Sequence, residues 1–104
     1  MKVSADELKL IQQILQEYIP EKTVWAFGSR VHGHHLKPFS DLDLAIIETE
    51  PMDSTLYQNI LDAFSESNLP FKVDIVDWAR IKPTFRSIIQ EKYEIIHSGN
   101  ESQK

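Results

Sequence analysis

The sequence predicts an α/β or α+β fold: a small mixed β-sheet of three to four strands flanked by helices. Three observations predict it. Apolar residues recur at helical spacing near the start, middle and end of the chain, and short β-branched or aromatic runs lie between them. The resulting order is helix, strand, strand, helix, strand, helix, with no internal repeat, low-complexity segment or linker. A chain of 104 residues is near the commonest size for one core, so the expectation is a single domain over 1–104, with 97–104 a flexible polar tail.

Each element has a local cause. Leu8, Ile11, Leu15 and Tyr18 form one helical stripe, opened by the capping-box pattern Ser4-x-x-Glu7 and stopped at Pro20. "TVWAFG", 23–28, is β-branched and aromatic and ends on a glycine, as suits a strand leading into a turn. "DLDLAII", 41–47, has the length and closing aliphatic run of a central strand, with Ser40 at its start. Asp53 or Ser54 caps a helix carrying Leu56, Ile60, Leu61 and Phe64 and ending near Asn68 and Pro70. "FKVDIVDW", 71–78, alternates as a third strand, and Pro83 opens a last helix with Phe85, Ile88, Ile89 and Ile96. Packing all three helices on one face of the sheet would bury all three stripes.

Composition excludes several classes. Hydrophobic residues are 41% and charged residues 26%, ordinary for a soluble globular protein. No apolar run nears the roughly 18 residues of a membrane span. The opening "MKVSADELKL" carries charges where a signal peptide needs an apolar stretch. With no cysteine either, the expected location is cytoplasmic. A net charge of -5 argues against general nucleic-acid or membrane-surface binding, although two bound Mg²⁺ would bring it to about -1.

The chemistry lies in "FGSRVHGHHLKPFSDLDLAII", residues 27–47. Asp41 and Asp43, at i and i+2, project from one face of a strand and repel each other, which a divalent cation would relieve. With seven Asp in the chain, one Asp-x-Asp is expected about 0.5 times by chance, so the pair needs company. Gly28-Ser29 supplies it, since a glycine and successive N–H groups at a strand-to-helix turn make an anion-binding concavity to which Ser29 adds a hydroxyl. Asp74, inside the apolar run "KVDIV", is a third carboxylate; the alternative is a solvent-facing strand-edge residue. Asp77 is its rival, but period-2 alternation puts it on the other side of the strand.

These segments resemble a family. "GSRVHG", "SDLDLAI" and "VDIV" are similar to the nucleotidyltransferase superfamily that includes DNA polymerase beta. The shortness and the Gly-Ser-Arg-x-x-Gly form resemble its minimal nucleotidyltransferases (MNT), commonly paired with a HEPN-domain protein in two-gene toxin and antitoxin modules. The resemblance spans about residues 3–97 and implies the nucleotidyltransferase fold. It implies that Gly28 and Ser29 hold the terminal phosphates of a nucleoside triphosphate, that Asp41 and Asp43 hold two Mg²⁺, and that Asp74 completes the ion activating the attacking hydroxyl. Arg30 is a candidate phosphate contact through its guanidinium fork, or else a solvent-facing turn residue. Gly33 lets the turn close.

The function implied is transfer of a nucleoside monophosphate, AMP from ATP, to a tyrosine or other hydroxyl on a HEPN partner encoded nearby. The alternative is a non-catalytic antitoxin that covers that partner. Small-molecule nucleotidylation, as of an aminoglycoside, is a weaker third, because the length leaves no second domain to hold the acceptor. His32, His34 and His35 fall in a polar loop and read as solvated rather than as a metal cluster. Trp25, Phe27, Trp78 and Phe85 read as core or interface rather than base-stacking groups. The last helix has more apolar surface than one stripe needs, so it or Trp78 is a candidate contact with a partner or a second copy.

Overall fold

The computed structural model describes residues 1–32 and 41–99. The element order is α1 (Ala5–Tyr18), β1 (Thr23–Phe27), α2 (Ser29–His32), β2 (Leu42–Ile47), α3 (Ser54–Ser65), β3 (Val73–Asp77), α4 (Pro83–Glu91) and β4 (Glu94–His97), with a 3₁₀ turn at Trp78–Arg80. The sheet is mixed and runs β3-β2-β1-β4. β1 pairs antiparallel with β2 and with β4, while β2 and β3 run parallel. The expected mixed sheet flanked by helices is present.

Local chemistry accounts for the ends of the elements. The Ser4 hydroxyl accepts from the Glu7 N–H while the Glu7 carboxylate accepts from the Ser4 N–H, closing both halves of the capping box. Asp53, rather than Ser54, caps α3 by accepting from the Leu56 N–H. Pro83 opens α4, where its missing N–H costs nothing.

Alternation along the strands divides the sheet into two faces. Val24 and Ala26 of β1, Leu42, Leu44 and Ile46 of β2, and Val73 and Ile75 of β3 join Ile11, Ile14 and Leu15 of α1 and Ile60 and Phe64 of α3 in one buried core. The opposite face carries Trp25 and Phe27. α4 lies there, with the Phe85 ring edge-on to Phe27 at 6.0 Å, so the expectation of all helices on one face is corrected.

The C-terminal part also departs from expectation. The last helix stops at Glu91, and Ile96 sits in β4, a fourth strand that includes His97, the first residue of the expected tail. Ile96 follows Ile89 at a spacing that fits a helical stripe, but "YEIIH" is also β-prone, and pairing with β1 decides the outcome. Trp78 leaves the expected third strand because the Asp77 carboxylate accepts from the Ala79 N–H and turns the chain. Gly33, His34, His35 and Ser40 lie outside the described residues.

Candidate active site

The register of the sheet assembles the carboxylates. Phe27 is opposite Asp43, and Asp43 is opposite Asp74, so Gly28 at the end of β1, Asp43 in the middle of the sheet and Asp74 on the edge strand stand side by side. Asp43 and Asp74 share the face away from the α1/α3 core. Asp41 lies exposed one residue ahead of β2 rather than within it, yet close enough to act on Asp43.

Asp43 is the strained member. Burial first, then the Asp74 charge, then the Asp41 charge push its carboxyl up from 3.8 to about 6. Gly28 has φ +85, a left-handed conformation that glycine adopts freely, and a Cβ there would collide with Asp43 Oδ2. The glycine therefore serves two needs, the turn and the close approach of a carboxylate. Glycine was expected to admit a ligand, and its immediate neighbour is the chain's own Asp43.

Ser29 begins α2 and is half-buried. The Val31 N–H donates to the Gly28 carbonyl at 3.0 Å, closing the turn. Arg30 departs from the solvent-facing reading. It is 5% exposed, its Nη1 donates to the Lys2 carbonyl at 2.6 Å, and its guanidinium lies 4.0 Å over the Phe71 ring. The Lys2 N–H in turn donates to the Arg30 carbonyl at 2.8 Å. Arg30 thus ties the N-terminal segment to the turn.

Asp74 is half-exposed, with Lys72 Nζ 3.7 Å from its Oδ1. Sequence reasoning passed over Lys72, although "KVD" carried the signal: residues at i and i+2 of a strand share a face. Asp77 is buried at 7% exposure and fully engaged by the Met52 N–H at 2.8 Å, the Ala79 N–H and the Arg80 Nε. It holds a turn and lies apart from the Asp43–Asp74 face.

The aromatic residues form a floor beside the carboxylates. Trp25 is stacked with Tyr93 at 3.9 Å and 16°, and Trp78 meets Trp25 edge-on at 5.2 Å. The Trp25–Tyr93 stack depends on residues far apart in sequence and had no local signal. Ile88 and Ile95 are more than half exposed, and Tyr93 is partly so.

Hard oxygen donors, mutually repelling and partly desolvated, fit a divalent cation. Among the described residues no group of three or more His, Cys, Asp or Glu side chains is placed to hold a metal ion.

The family model Polymerase beta, Nucleotidyltransferase matches residues 9–102. The chain is 48% identical over 96 residues to the probable protein adenylyltransferase MntA of Haemophilus influenzae, covering 92% of this chain and 83% of that protein. Among solved structures it is similar to a toxin-antitoxin with AMP-PNP, at a TM-score of 0.72 and 20% identity over 91% of this chain and 76% of the other. It is also similar to a chain of the tri-AMPylated Shewanella oneidensis HEPN toxin in complex with MNT antitoxin, at 0.62 and 17% over 92% and 76%. At these identities the structural likeness speaks for the fold.

Proposed function

Since the chain belongs to the polymerase beta nucleotidyltransferase family and to its minimal, MntA-like branch, we propose that it transfers AMP from ATP to a hydroxyl, a tyrosine for preference, on a HEPN-domain partner encoded nearby and so acts as an antitoxin. The observation that carries this reading is the in-register row of Gly28, Asp43 and Asp74. In the reaction the acceptor oxygen forms a bond to the α-phosphorus as the bond to the pyrophosphate oxygen breaks. The hydroxyl proton leaves and pyrophosphate departs.

Each residue has a part. Gly28 and Ser29 bind the terminal phosphates through backbone N–H groups and the hydroxyl. Asp41, Asp43 and Asp74 would hold Mg²⁺, two ions in the fullest form, which when bound would neutralise phosphate charge and acidify the acceptor hydroxyl. Asp74, at the sheet edge, would take up the proton of the acceptor hydroxyl. Arg30, beside Ser29 in the same turn, is proposed as a further phosphate contact. No helix among the described residues is long and apolar enough to cross a membrane, and the proposed location is the cytoplasm.

A second reading is a binding module that neutralises the HEPN protein by covering it. The exposed Ile88, Tyr93 and Ile95 favour it. One experiment separates the two: purified chain, α-labelled ATP, Mg²⁺ and the neighbouring HEPN protein are incubated together, and the labelled polypeptide is identified. Label on the HEPN protein supports the transferase, whereas a stable complex without label overturns it in favour of the module.

A further inference from the structure

Lys72 stands two residues before Asp74, on the face that carries Asp43, and its ammonium lies 3.7 Å from Asp74 Oδ1. We propose that Lys72 is an exchangeable counter-ion of the site: it pairs with Asp74, competes there with a divalent cation, and turns to the phosphate oxygens of the nucleotide when a cation takes the carboxylate. The proposal rests on the reading of Asp74 as a metal-binding carboxylate beside a phosphate turn.

The register of the sheet brings Lys72 to the end where that turn lies. Leu42 is opposite Val73 and Asp43 opposite Asp74, so one step back along β2 and β3 sets Lys72 beside Asp41. The Lys72 carbonyl accepts from the Leu42 N–H at 2.9 Å, which carries the ladder to that level. Phe27 is the other neighbour of Asp43, and because β1 runs antiparallel to β2, the chain leaves the sheet through Gly28 and Ser29 at this same end. An ammonium here, next to Asp41 and Asp74, serves either the carboxylates or an anion held at the turn.

The pair has the properties of one that exchanges. Its side chains are 73% and 45% exposed, so the attraction is screened by water and weak. Lysine carries a compact charge on a flexible four-carbon stem, and the ammonium can swing without moving the backbone. Asp77 is the contrast, buried and held by the Met52 N–H, the Ala79 N–H and the Arg80 Nε, a set that cannot be given up at low cost. Because the carboxylates are not placed as a group of three, a cation shared by Asp43 and Asp74 requires Asp74 to turn away from Lys72. The Lys72 charge opposes a divalent cation and attracts a triphosphate. Its removal therefore moves the two affinities in opposite directions.

The test uses the full chain with Lys72→Met and Lys72→Arg, both at an exposed position and both checked by thermal melts. The probes are Mn²⁺ alone, followed by the electron paramagnetic resonance of the free ion, and an ATP analogue with a methylene between the α- and β-phosphorus atoms at saturating Mn²⁺. Lys72→Met is expected to bind Mn²⁺ about three- to tenfold more tightly than wild type and the analogue about three- to tenfold more weakly, while Lys72→Arg stays within about twofold of wild type in both. A shift of both affinities in one direction, or no shift in either, overturns the exchange; if wild type also labels the neighbouring HEPN protein, the transferase stands without it. The expected shifts in a chain that transfers no label keep the exchange and overturn the transferase. A wild type that binds neither Mn²⁺ nor the analogue overturns both.

Discussion

Asp43 and Asp74 lie opposite each other in the parallel β2–β3 pair, two carboxylates on one face, with the Lys72 ammonium, two residues before Asp74, 3.7 Å from the Asp74 Oδ1. The fold thus holds like charges together, and its behaviour should depend on what neutralises them.

The first consequence concerns pH. The Asp43 carboxyl titrates near 6 when folded and near 3.8 ordinarily, so the folded state binds its proton more tightly than the unfolded state. Its charge therefore opposes folding above that range, and the penalty lifts as pH falls through 6 toward 3.8. In EDTA, the thermal midpoint of wild type should gain more between pH 7.5 and pH 5.5 than that of Asp43→Asn. Identical gains would show that Asp43 carries no such penalty.

Mg²⁺ reverses the argument at the same residue. Asp43→Asn removes one charge from the repelling group, so metal-free stability should hold or rise while Mg²⁺ affinity drops. Label transfer should fall on the order of 10²-fold or more. Near wild-type transfer by this variant would rule out Asp43 as a metal ligand.

Gly28 separates backbone strain from steric contact. Alanine there meets both the positive φ and the Asp43 carboxylate, with a cost of about 1–3 kcal/mol. Asparagine tolerates the positive φ but still carries the Cβ that collides with Asp43 Oδ2. Both variants should lose transfer activity, Gly28→Asn with the smaller drop in thermal midpoint. Full activity in Gly28→Asn would show that the contact with Asp43 does not matter.

Asp77 should matter for stability and not for chemistry. Asp77→Ala strands the Met52 N–H in a buried setting, at a cost of about 1–3 kcal/mol. A scanning melt should show a midpoint lowered by several degrees, with transfer near wild type well below it. A selective loss of kcat at full stability would instead place Asp77 in the reaction.

Much of this was legible in the sequence because it is local. The Ser4 and Asp53 caps and Pro83 are set by neighbours a few residues apart, and each lies where the sequence put it. What was missed is set by pairing across the chain. β4 depends on the β1 edge, Arg30 on Lys2 and Phe71, and Lys72 on which face β3 turns toward the site. Ile96 shows the limit most clearly, since one spacing served both a helix and a strand until the sheet offered it a partner.

The place of β4 bears on how the protein is made. β1 is the second element from the N-terminus, yet one of its two edges is satisfied only by residues 94–97. During synthesis that edge, with Trp25 and Phe27 on one side and the core residues Val24 and Ala26 on the other, stays open until nearly the whole described chain has emerged from the ribosome. Closure of the sheet is a late event, and a nascent chain arrested before Glu94 presents an unpaired hydrophobic strand to any other strand it meets.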